Sequence, residues 1–301
     1  GGLGLGLERR RRVPDSNTMD PALYDLEPTT WSSRSGVAYD SEDEDEAMQH
    51  QVEFLWEQQQ VEGVEASSSS NSEESLPQWV LVGCSGPAVH LFRVLSEGRP
   101  IVVRVLRRHT HDASHKPAVT AEVMVGARVG TVLLLWWVHR DPVDPEEAGA
   151  LASVLWQRVG ATSTTATSNL MAFEGRDTST LFPPPTDPPH TVCCLHTREF
   201  PLAADLWHAL RIPNFVCGLG AALLERALLS TTQSVQALLA VNYGNETQPT
   251  VAEMLQVLPV QGCAAVWQAL GMQAASPSLK EALRKEVVAV GDRSARGHLF
   301  L

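Results

Sequence analysis

Short apolar runs bounded by glycine or proline recur along the chain from residue 78 onward. Residues 79–82 form one such run, and the stretch Gly83-Cys84-Ser85-Gly86 follows it directly. Pro87 then opens a segment with apolar residues at helical spacing, and proline is favoured in the first turn of a helix. This order predicts a strand, a tight turn and a helix, with a further strand at residues 101–106.

Strands and helices are predicted to alternate through the remainder of the chain. Residues 119–125 and 131–138 are predicted to form a strand pair, and Asp144-Pro145 has the composition of a helix start. The other predicted strands and helices are strands at 191–195 and 235–241 and helices at 202–210, 221–229, 250–258 and 277–290. Residues 160–190 are rich in Thr, Ser and Pro, which predicts a long loop carrying at most one weak strand.

Several of these strands are apolar on both faces, as strands covered by helices on both sides usually are. The pattern therefore favours an α/β fold, with one three-layer α/β/α sandwich over residues 78–291. Residues 292–301 are predicted to be a flexible tail.

Residues 19–77 differ from the predicted domain in composition. Between Asp40 and Glu74 there are twelve Asp and Glu and no Lys or Arg, which equals the whole net charge of −12. So little apolar surface predicts a disordered acidic arm. Within it, Val52, Phe54, Leu55 and Trp56 are interpreted either as a short helical docking segment or as a merely transient helix.

Several functional classes are not expected from the sequence. Residues 1–18 precede the first methionine, Met19, and are predicted to be a non-native upstream segment without the apolar core of a signal peptide. The longest apolar run, residues 131–138, is too short to cross a bilayer. The folded part has no surplus of Lys and Arg, so nucleic-acid binding is not expected. Five cysteines without a secretory signal predict reduced thiols and a cytoplasmic location, with nuclear or ER-associated locations as alternatives.

The turn Gly83-Cys84-Ser85-Gly86 is the first candidate site, because backbone N–H groups at a helix start favour anions. A nucleophile elbow would require glycine where Pro87 stands, and a phosphate loop would require Lys followed by Ser or Thr. A structural turn is therefore the favoured interpretation, and a nucleophile at Ser85 or Cys84 is the alternative.

Two groups of potential metal ligands give weak signals. His109, His111 and His115 lie in a loop-like segment, but their spacing matches no closed zinc site, and solvated histidines are the simpler interpretation. Cys193 and Cys194 are neighbours on a predicted strand, so they point to opposite faces and are expected to be buried. No metal is therefore predicted.

The stretch Gly218-Leu219-Gly220 resembles part of a dinucleotide-binding fingerprint, but the third glycine is missing. Packing of a helix against the sheet is the favoured explanation. With no acid, base and nucleophile set, the sequence predicts no cofactor and no enzymatic activity.

The chain contains the segment Pro213-Asn214-Phe215-Val216, which is followed by the predicted helix at 219–224 and the apolar strand at 236–241. This order of motifs resembles the proteasome assembly chaperone 1 family. The resemblance covers roughly residues 78–301, although residues 109–190 align only loosely, and other members carry an aliphatic residue where Phe215 stands. It implies a chaperone that forms a heterodimer with a related chaperone subunit and binds proteasome α-subunits during formation of the α-ring.

The same family ends in a hydrophobic residue, a tyrosine and any last residue, which insert between adjacent α-subunits. Leu299, Phe300 and Leu301 fall on those positions and are the partner-binding residues that the resemblance implies, with Phe300 replacing the tyrosine. Two other hypotheses stay open: an α/β phosphorylase or hydrolase that uses residues 83–86 as an anion site, and an acidic-armed interaction module of unrelated purpose.

Overall fold

The computed structural model describes residues 51–59, 77–110, 120–139, 143–161, 168–181, 191–197, 200, 207–210, 214–230, 235–244, 248–260, 262–274 and 276–297. Within these ranges the strands are β1 (Gln51–Gln58), β2 (Trp79–Gly83), β3 (Ile101–Thr110), β4 (Thr120–Val129), β5 (Val132–Trp137), β6 (Ser168–Asp177), β7 (Thr191–His196), β8 (His208–Ala209) and β9 (Val235–Gly244). The helices are α1 (Pro87–Leu95), α2 (Pro145–Ala161), α3 (Leu219–Leu229), α4 (Val251–Val257), α5 (Ala264–Leu270) and α6 (Pro277–Gly297).

The strands form a single sheet in the order β1-β3-β4-β5-β2-β6-β9-β7-β8. Its centre is parallel, because β2 pairs in parallel with both β5 and β6, and β6 pairs in parallel with β9. Antiparallel pairs flank this centre, with β4 against β5 on one side and β7 against β9 on the other. The carboxyl ends of four neighbouring strands therefore lie along one edge of the sheet.

Helices cover both faces of the sheet, as the fold prediction requires. Phe173 of β6 packs edge-on against Phe92 of α1, with ring centroids 5.6 Å apart. The next residue, Glu174, accepts a hydrogen bond from Gly220 of α3. Because successive residues of a strand point to opposite faces, α1 and α3 lie on opposite sides of β6. Helix α2 packs on α3, while α4 and α6 pack on α1.

The core combines apolar residues of the predicted strands with residues of β6, which lies in the stretch predicted to be a loop. Leu81, Leu134 and Met171 are fully buried at the centre of the sheet. Trp136 and Trp137 of β5 are also buried. The predicted start of α2 is confirmed as well, because the backbone N–H of Glu146 donates to Asp144 Oδ1 at 3.0 Å.

The segment around Phe54 is a strand, so the prediction of a short helix within the acidic arm is wrong. β1 pairs antiparallel with β3 along its whole length, with Phe54 opposite Arg107. Phe54 is buried beside α2, and Arg107 forms an ion pair with Glu147 of that helix. Val52, Phe54 and Trp56 alternate with Glu53, Leu55 and Glu57, which fits a strand with one more apolar face. Apart from Gln59 and Pro77, the rest of the predicted arm lies outside the described residues.

Three other predictions are corrected. Residues 168–177 form β6, one of the central strands, where the sequence suggested a loop with at most a weak strand. Residues 208–209 form β8, although a helix was predicted over 202–210. Helix α6 continues to Gly297, so residues 292–297 are not the flexible linker that was predicted. Helix α5 had not been predicted at all; it packs beside the β4–β5 turn, where the Thr131 N–H donates to Ala269 O at 3.1 Å.

Among the described residues, no helix is both long enough and apolar enough to span a membrane.

Candidate functional site

The candidate site lies at the carboxyl edge of the parallel strands. In open α/β sheets, ligands bind outside the carboxyl ends of the strands. Here that edge brings together the turn after β2, the end of β6 and the start of α3. The sequence motifs around Ser85 and Gly218, which are more than 130 positions apart, meet at this edge on either side of β6.

Ser85 fixes the turn after β2 to β6. Its Oγ accepts a hydrogen bond from the Gly175 N–H at 2.9 Å and lies 3.3 Å from Gly175 O, to which its hydroxyl donates. The two backbones are in close contact, because a Cβ added to Gly175 would lie only 2.7 Å from Gly86 Cα. Gly86 also has a φ of 65°, which favours glycine. These contacts give Ser85 a structural role and support the interpretation of residues 83–86 as a tight turn.

Cys84 has no features of a nucleophile in this structure. Its side chain is buried, and burial, together with the nearby Glu174 carboxylate, raises the pKa of its thiol well above the ordinary value. A thiol is a weak nucleophile until it is deprotonated. Cys84 is therefore a core residue.

Glu174 is the buried charged residue of this edge. It is only 4% exposed, and its Oε1 accepts a hydrogen bond from the Gly220 N–H at 2.8 Å. Arg176 Nη2 lies 3.2 Å from Glu174 Oε2. Burial raises the pKa of Glu174, while Arg176 and the backbone N–H groups of Gly220 and Ala221 partly oppose that rise. The protein's own carboxylate therefore occupies the anion-binding position at the start of α3.

The glycines around α3 make this arrangement possible. A Cβ added to Gly220 would lie 2.6 Å from Leu239 Cδ1 and 2.9 Å from Glu174 Oε1. Gly218 has a φ of 105°, in the region that favours glycine. The pair thus lets α3 pack closely on β9 and on Glu174, which supports helix packing over dinucleotide binding as the reason for these glycines.

Arg176 links the site to the segment before α3. Its guanidinium donates to the backbone carbonyl of Cys217 and lies 3.4 Å from Cys217 Sγ. One arginine therefore contacts both the buried carboxylate and the exposed residue 217. This contact helps to position residues 214–217, which lie at the rim of an apolar surface.

That surface, called the α3 groove below, is about 410 Å³ in volume. It is lined by Leu195, Leu210, Asn214, Val216, Ala221, Leu224, Glu225, Leu228, Leu229 and Leu239. Leu228 and Leu229 are 62% and 72% exposed, and the adjacent Phe215 is 92% exposed. A contiguous apolar patch of this kind marks a binding surface more often than a chance exposure.

The other candidate residues from the sequence are dispersed. His109 lies on β3, whereas His111 and His115 lie outside the described residues. Cys193 and Cys194 are buried on β7, as predicted. In the ranges that the structure describes, no group of three or more His, Cys, Asp or Glu side chains could hold a metal ion. Leu299, Phe300 and Leu301 also lie outside the described residues.

Glu174 and Arg176 are the residues that the sequence analysis missed. They lie in the stretch interpreted as a loop, although residues 170–173 are a short apolar run. A short apolar run of this length is consistent with a buried strand, and Glu174 and Arg176 follow directly at its end. Gly220, the partner of Glu174, is 46 positions away from it, so the contact itself could not be predicted.

No protein-family model matches this chain, and a search of curated proteins also gives no match. Among solved structures, the chain is similar to a protein of unknown function from Thermoplasma acidophilum, with 12% identity and a TM-score of 0.47 over 74% of this chain and 89% of that one. It is also similar to Pyrococcus furiosus PbaB, an archaeal proteasome activator, with 11% identity and a TM-score of 0.46 over 82% of this chain and 99% of that one. A third is Pyrococcus furiosus PbaA, an archaeal homolog of proteasome-assembly chaperone, with 10% identity and a TM-score of 0.45 over 74% and 88%. These values describe a likeness of architecture and assign no function to this chain.

Proposed function

We propose that this chain is a non-catalytic proteasome assembly chaperone. It forms a heterodimer with a related chaperone subunit and holds proteasome α-subunits while the α-ring of the core particle forms. The proposal starts from the sequence resemblance, and the structural observation that carries it is the α3 groove with Phe215 at its rim. Leu228 and Leu229, which line the groove, are more than 60% exposed, and so is Phe215, which lies in the chain between two lining residues. Such a surface fits a protein that functions by binding other proteins.

The carboxyl edge of the sheet supports a binding protein over an enzyme. The anion position at the start of α3 is filled by Glu174, and the Ser85 hydroxyl is engaged by the backbone of Gly175. A phosphate or an ester oxygen would have to displace a carboxylate that is held by two backbone N–H groups and by Arg176. This supports the chaperone over the phosphorylase or hydrolase alternative.

The length of α6 lowers the free-energy cost of ordering the carboxyl-terminal residues when they bind. Helix α6 extends to Gly297, immediately before residues 298–301. Ordering a free residue costs about 1 to 2 kcal/mol. Because residues 292–297 are already helical, binding does not have to order them, and the ordering cost is lower by roughly several kcal/mol than for the flexible linker that the sequence suggested. This lower cost favours insertion of Leu299 and Phe300 between α-subunits.

Helix α6, which precedes the tail, and the α3 groove lie on opposite faces of the sheet. Helix α6 packs on the side of α1, whereas the α3 groove is on the side of α3. The related subunit and the α-subunits could therefore be bound at the same time. Two linked contacts of modest affinity can together give strong binding.

The test is capture of purified proteasome α-subunits by the full chain. Deletion of Leu299, Phe300 and Leu301 is expected to weaken capture at least tenfold without changing the thermal unfolding of the domain. Phe300→Tyr, which restores the hydroxyl found in the family, is the matched control and is expected to bind at least as tightly as the wild type. Equal capture by the deletion variant would contradict the proposed role of the tail, and absence of any capture by the wild type would contradict the function.

A further inference from the structure

The lining of the α3 groove has the spacing of a helix-packing surface. Ala221, Leu224, Glu225 and Leu228 follow one another at intervals of three, one and three positions, which places them on one stripe of α3. Leu229 continues the stripe towards the end of the helix. A stripe of this kind fits another helix laid along it, because side chains three and four positions apart form the ridges of helix packing.

The ends of this stripe differ in size. Its amino-terminal end has Ala221, with Ala222 next to it in the chain although outside the groove lining, and its carboxyl-terminal end has Leu228 and Leu229. In an antiparallel pair of such helices related by a two-fold axis at position 225, Ala221 of one helix lies opposite position 229 of the other, and Ala222 lies opposite position 228. Small side chains then meet large ones at both ends of the pair, so the stripe is complementary in shape to a helix like itself.

The centre of the stripe is charged, and this distinguishes between possible partners. Glu225 is exposed and is midway between Ala221 and Leu229. Within the part of the chain that the structure describes, no basic side chain forms an ion pair with it. In a pair of identical chains, the two Glu225 carboxylates would face each other across the axis, and like charges in an interface disfavour association. A related subunit with lysine or arginine at this position would replace that repulsion with an ion pair.

Phe215 gives the same surface a projecting element. It lies between Asn214 and Val216, which both line the α3 groove, yet it is itself 92% exposed. The groove volume of about 410 Å³ is large enough to receive an aromatic side chain from a partner of similar shape. A projection beside a depression is the arrangement that a two-fold or pseudo-two-fold interface requires.

We propose that a related α/β chaperone subunit docks on the α3 groove through its own helix, antiparallel to α3, and that Glu225 selects a non-identical subunit with a basic residue opposite it. This inference rests on the proposed function, because it identifies the surface and the chemistry of the heterodimer partner. It implies that the wild-type chain pairs poorly with itself because the two Glu225 carboxylates repel each other, although the surfaces are complementary in shape.

The test creates the complementary partner from the chain itself. Full-length wild type, Glu225→Lys and their equimolar mixture are compared by sedimentation velocity and native mass spectrometry. The mixture is expected to form one-to-one dimers at least tenfold more tightly than either protein alone, and added salt is expected to weaken them. Glu97→Lys, which makes the same charge change at an exposed position after α1, is the matched control and is expected to give no dimers with the wild type.

A second pair of variants locates the contact. Phe215→Ser or Leu228→Ser in both components is expected to reduce dimerisation of the mixture at least tenfold. Because both side chains are exposed, these changes are expected to leave thermal unfolding unchanged. If Glu225→Lys does not fold, Glu225→Arg takes its place in the same comparison.

A mixture no tighter than the wild type alone, or a wild type that dimerises as tightly as the mixture, would overturn the inference. Neither result bears on the capture of α-subunits by the tail, which is measured separately. Loss of that capture together with an intact mixed dimer would instead contradict only the proposed function.

Discussion

The Oε1 atom of Glu174 accepts a hydrogen bond from the backbone N–H of Gly220 at 2.8 Å, so a buried carboxylate on β6 lies at the first turn of α3. This contact joins the centre of the sheet to the helix that carries the α3 groove. The same carboxylate is paired with Arg176, which in turn contacts Cys217 at the rim of the groove. Glu174 therefore links the stability of this edge of the sheet to the position of the segment at the rim of the α3 groove.

Glu174→Ala is expected to destabilise the domain by about 3 kcal/mol at neutral pH. The substitution leaves a partly buried Arg176 without its carboxylate and the Gly220 N–H without its acceptor, and both losses are costly in a buried site. Urea unfolding followed by circular dichroism measures the change. Glu174→Gln, which keeps an acceptor of nearly the same shape, is the control and is expected to cost less than the Ala variant. An Ala variant within 0.5 kcal/mol of the wild type would show that the contact contributes little.

The stability contribution of Glu174 is expected to decrease as the pH rises. Burial raises its pKa above the ordinary value of 4.5, so the folded state binds this proton more strongly than the unfolded state does. The contribution is therefore fully present below pH 4.5 and is lost as the pH rises through the raised pKa of the folded state. The measurement is the difference in unfolding free energy between the wild type and Glu174→Gln from pH 4 to pH 8. The contributions of other titrating groups are the same in both proteins and cancel in this difference. A difference that grows in favour of the wild type with rising pH would contradict this direction.

Gly220→Ala is expected to destabilise the domain by about 1 to 3 kcal/mol. The new Cβ would lie 2.6 Å from Leu239 Cδ1 and 2.9 Å from Glu174 Oε1, so α3 would have to shift away from the sheet. Gly149→Ala in α2 is the matched control, because a Cβ there meets no atom within 4 Å. That control is expected to raise the melting temperature, since alanine is favoured over glycine inside a helix by about 0.5 to 1 kcal/mol. The two variants should therefore shift thermal unfolding in opposite directions.

Phe54→Ala is expected to destabilise the domain by about 3 kcal/mol, because removal of a buried phenylalanine leaves a cavity between β1 and α2. Glu53→Ala on the same strand is expected to change stability by less than 0.5 kcal/mol, since its ion pair with Arg108 is solvent-exposed and 3.7 Å long. Hydrogen exchange of residues 103–110 offers a second readout, because β1 protects one edge of β3. An unchanged unfolding free energy for Phe54→Ala would show that β1 is not an integral part of the sheet.

The elements that the sequence predicted best have strong local signals. The turn of Gly83 and Gly86, the helix start at Pro145 and the strand pair around Gly130 each depend on residues within a few positions of one another. The two long segments that were misinterpreted lack such signals. In β6, the polar residues Glu174 and Arg176 make the strand end resemble a loop, and in β1 the acidic neighbours of Phe54 resemble the composition of a disordered arm.

The candidate site was predictable only in part. The glycines at 218 and 220 were correctly interpreted as packing positions, and Phe215 was noted because it departs from the family pattern. Exposure, however, is not encoded in residue type. Phe215 and Phe92 are the same amino acid, yet one is 92% exposed and the other is fully buried.

The sequence by itself determined the α/β class and the apolar strands of the core, because alternation and apolar runs are local properties that a short stretch of chain contains completely. Only the tertiary structure decided the order of the strands, the burial of Glu174 against Gly220 and the exposure of the α3 groove. Each of these depends on which distant segments meet, and the free energy of such contacts comes from burial and hydrogen bonds that no single segment can form alone.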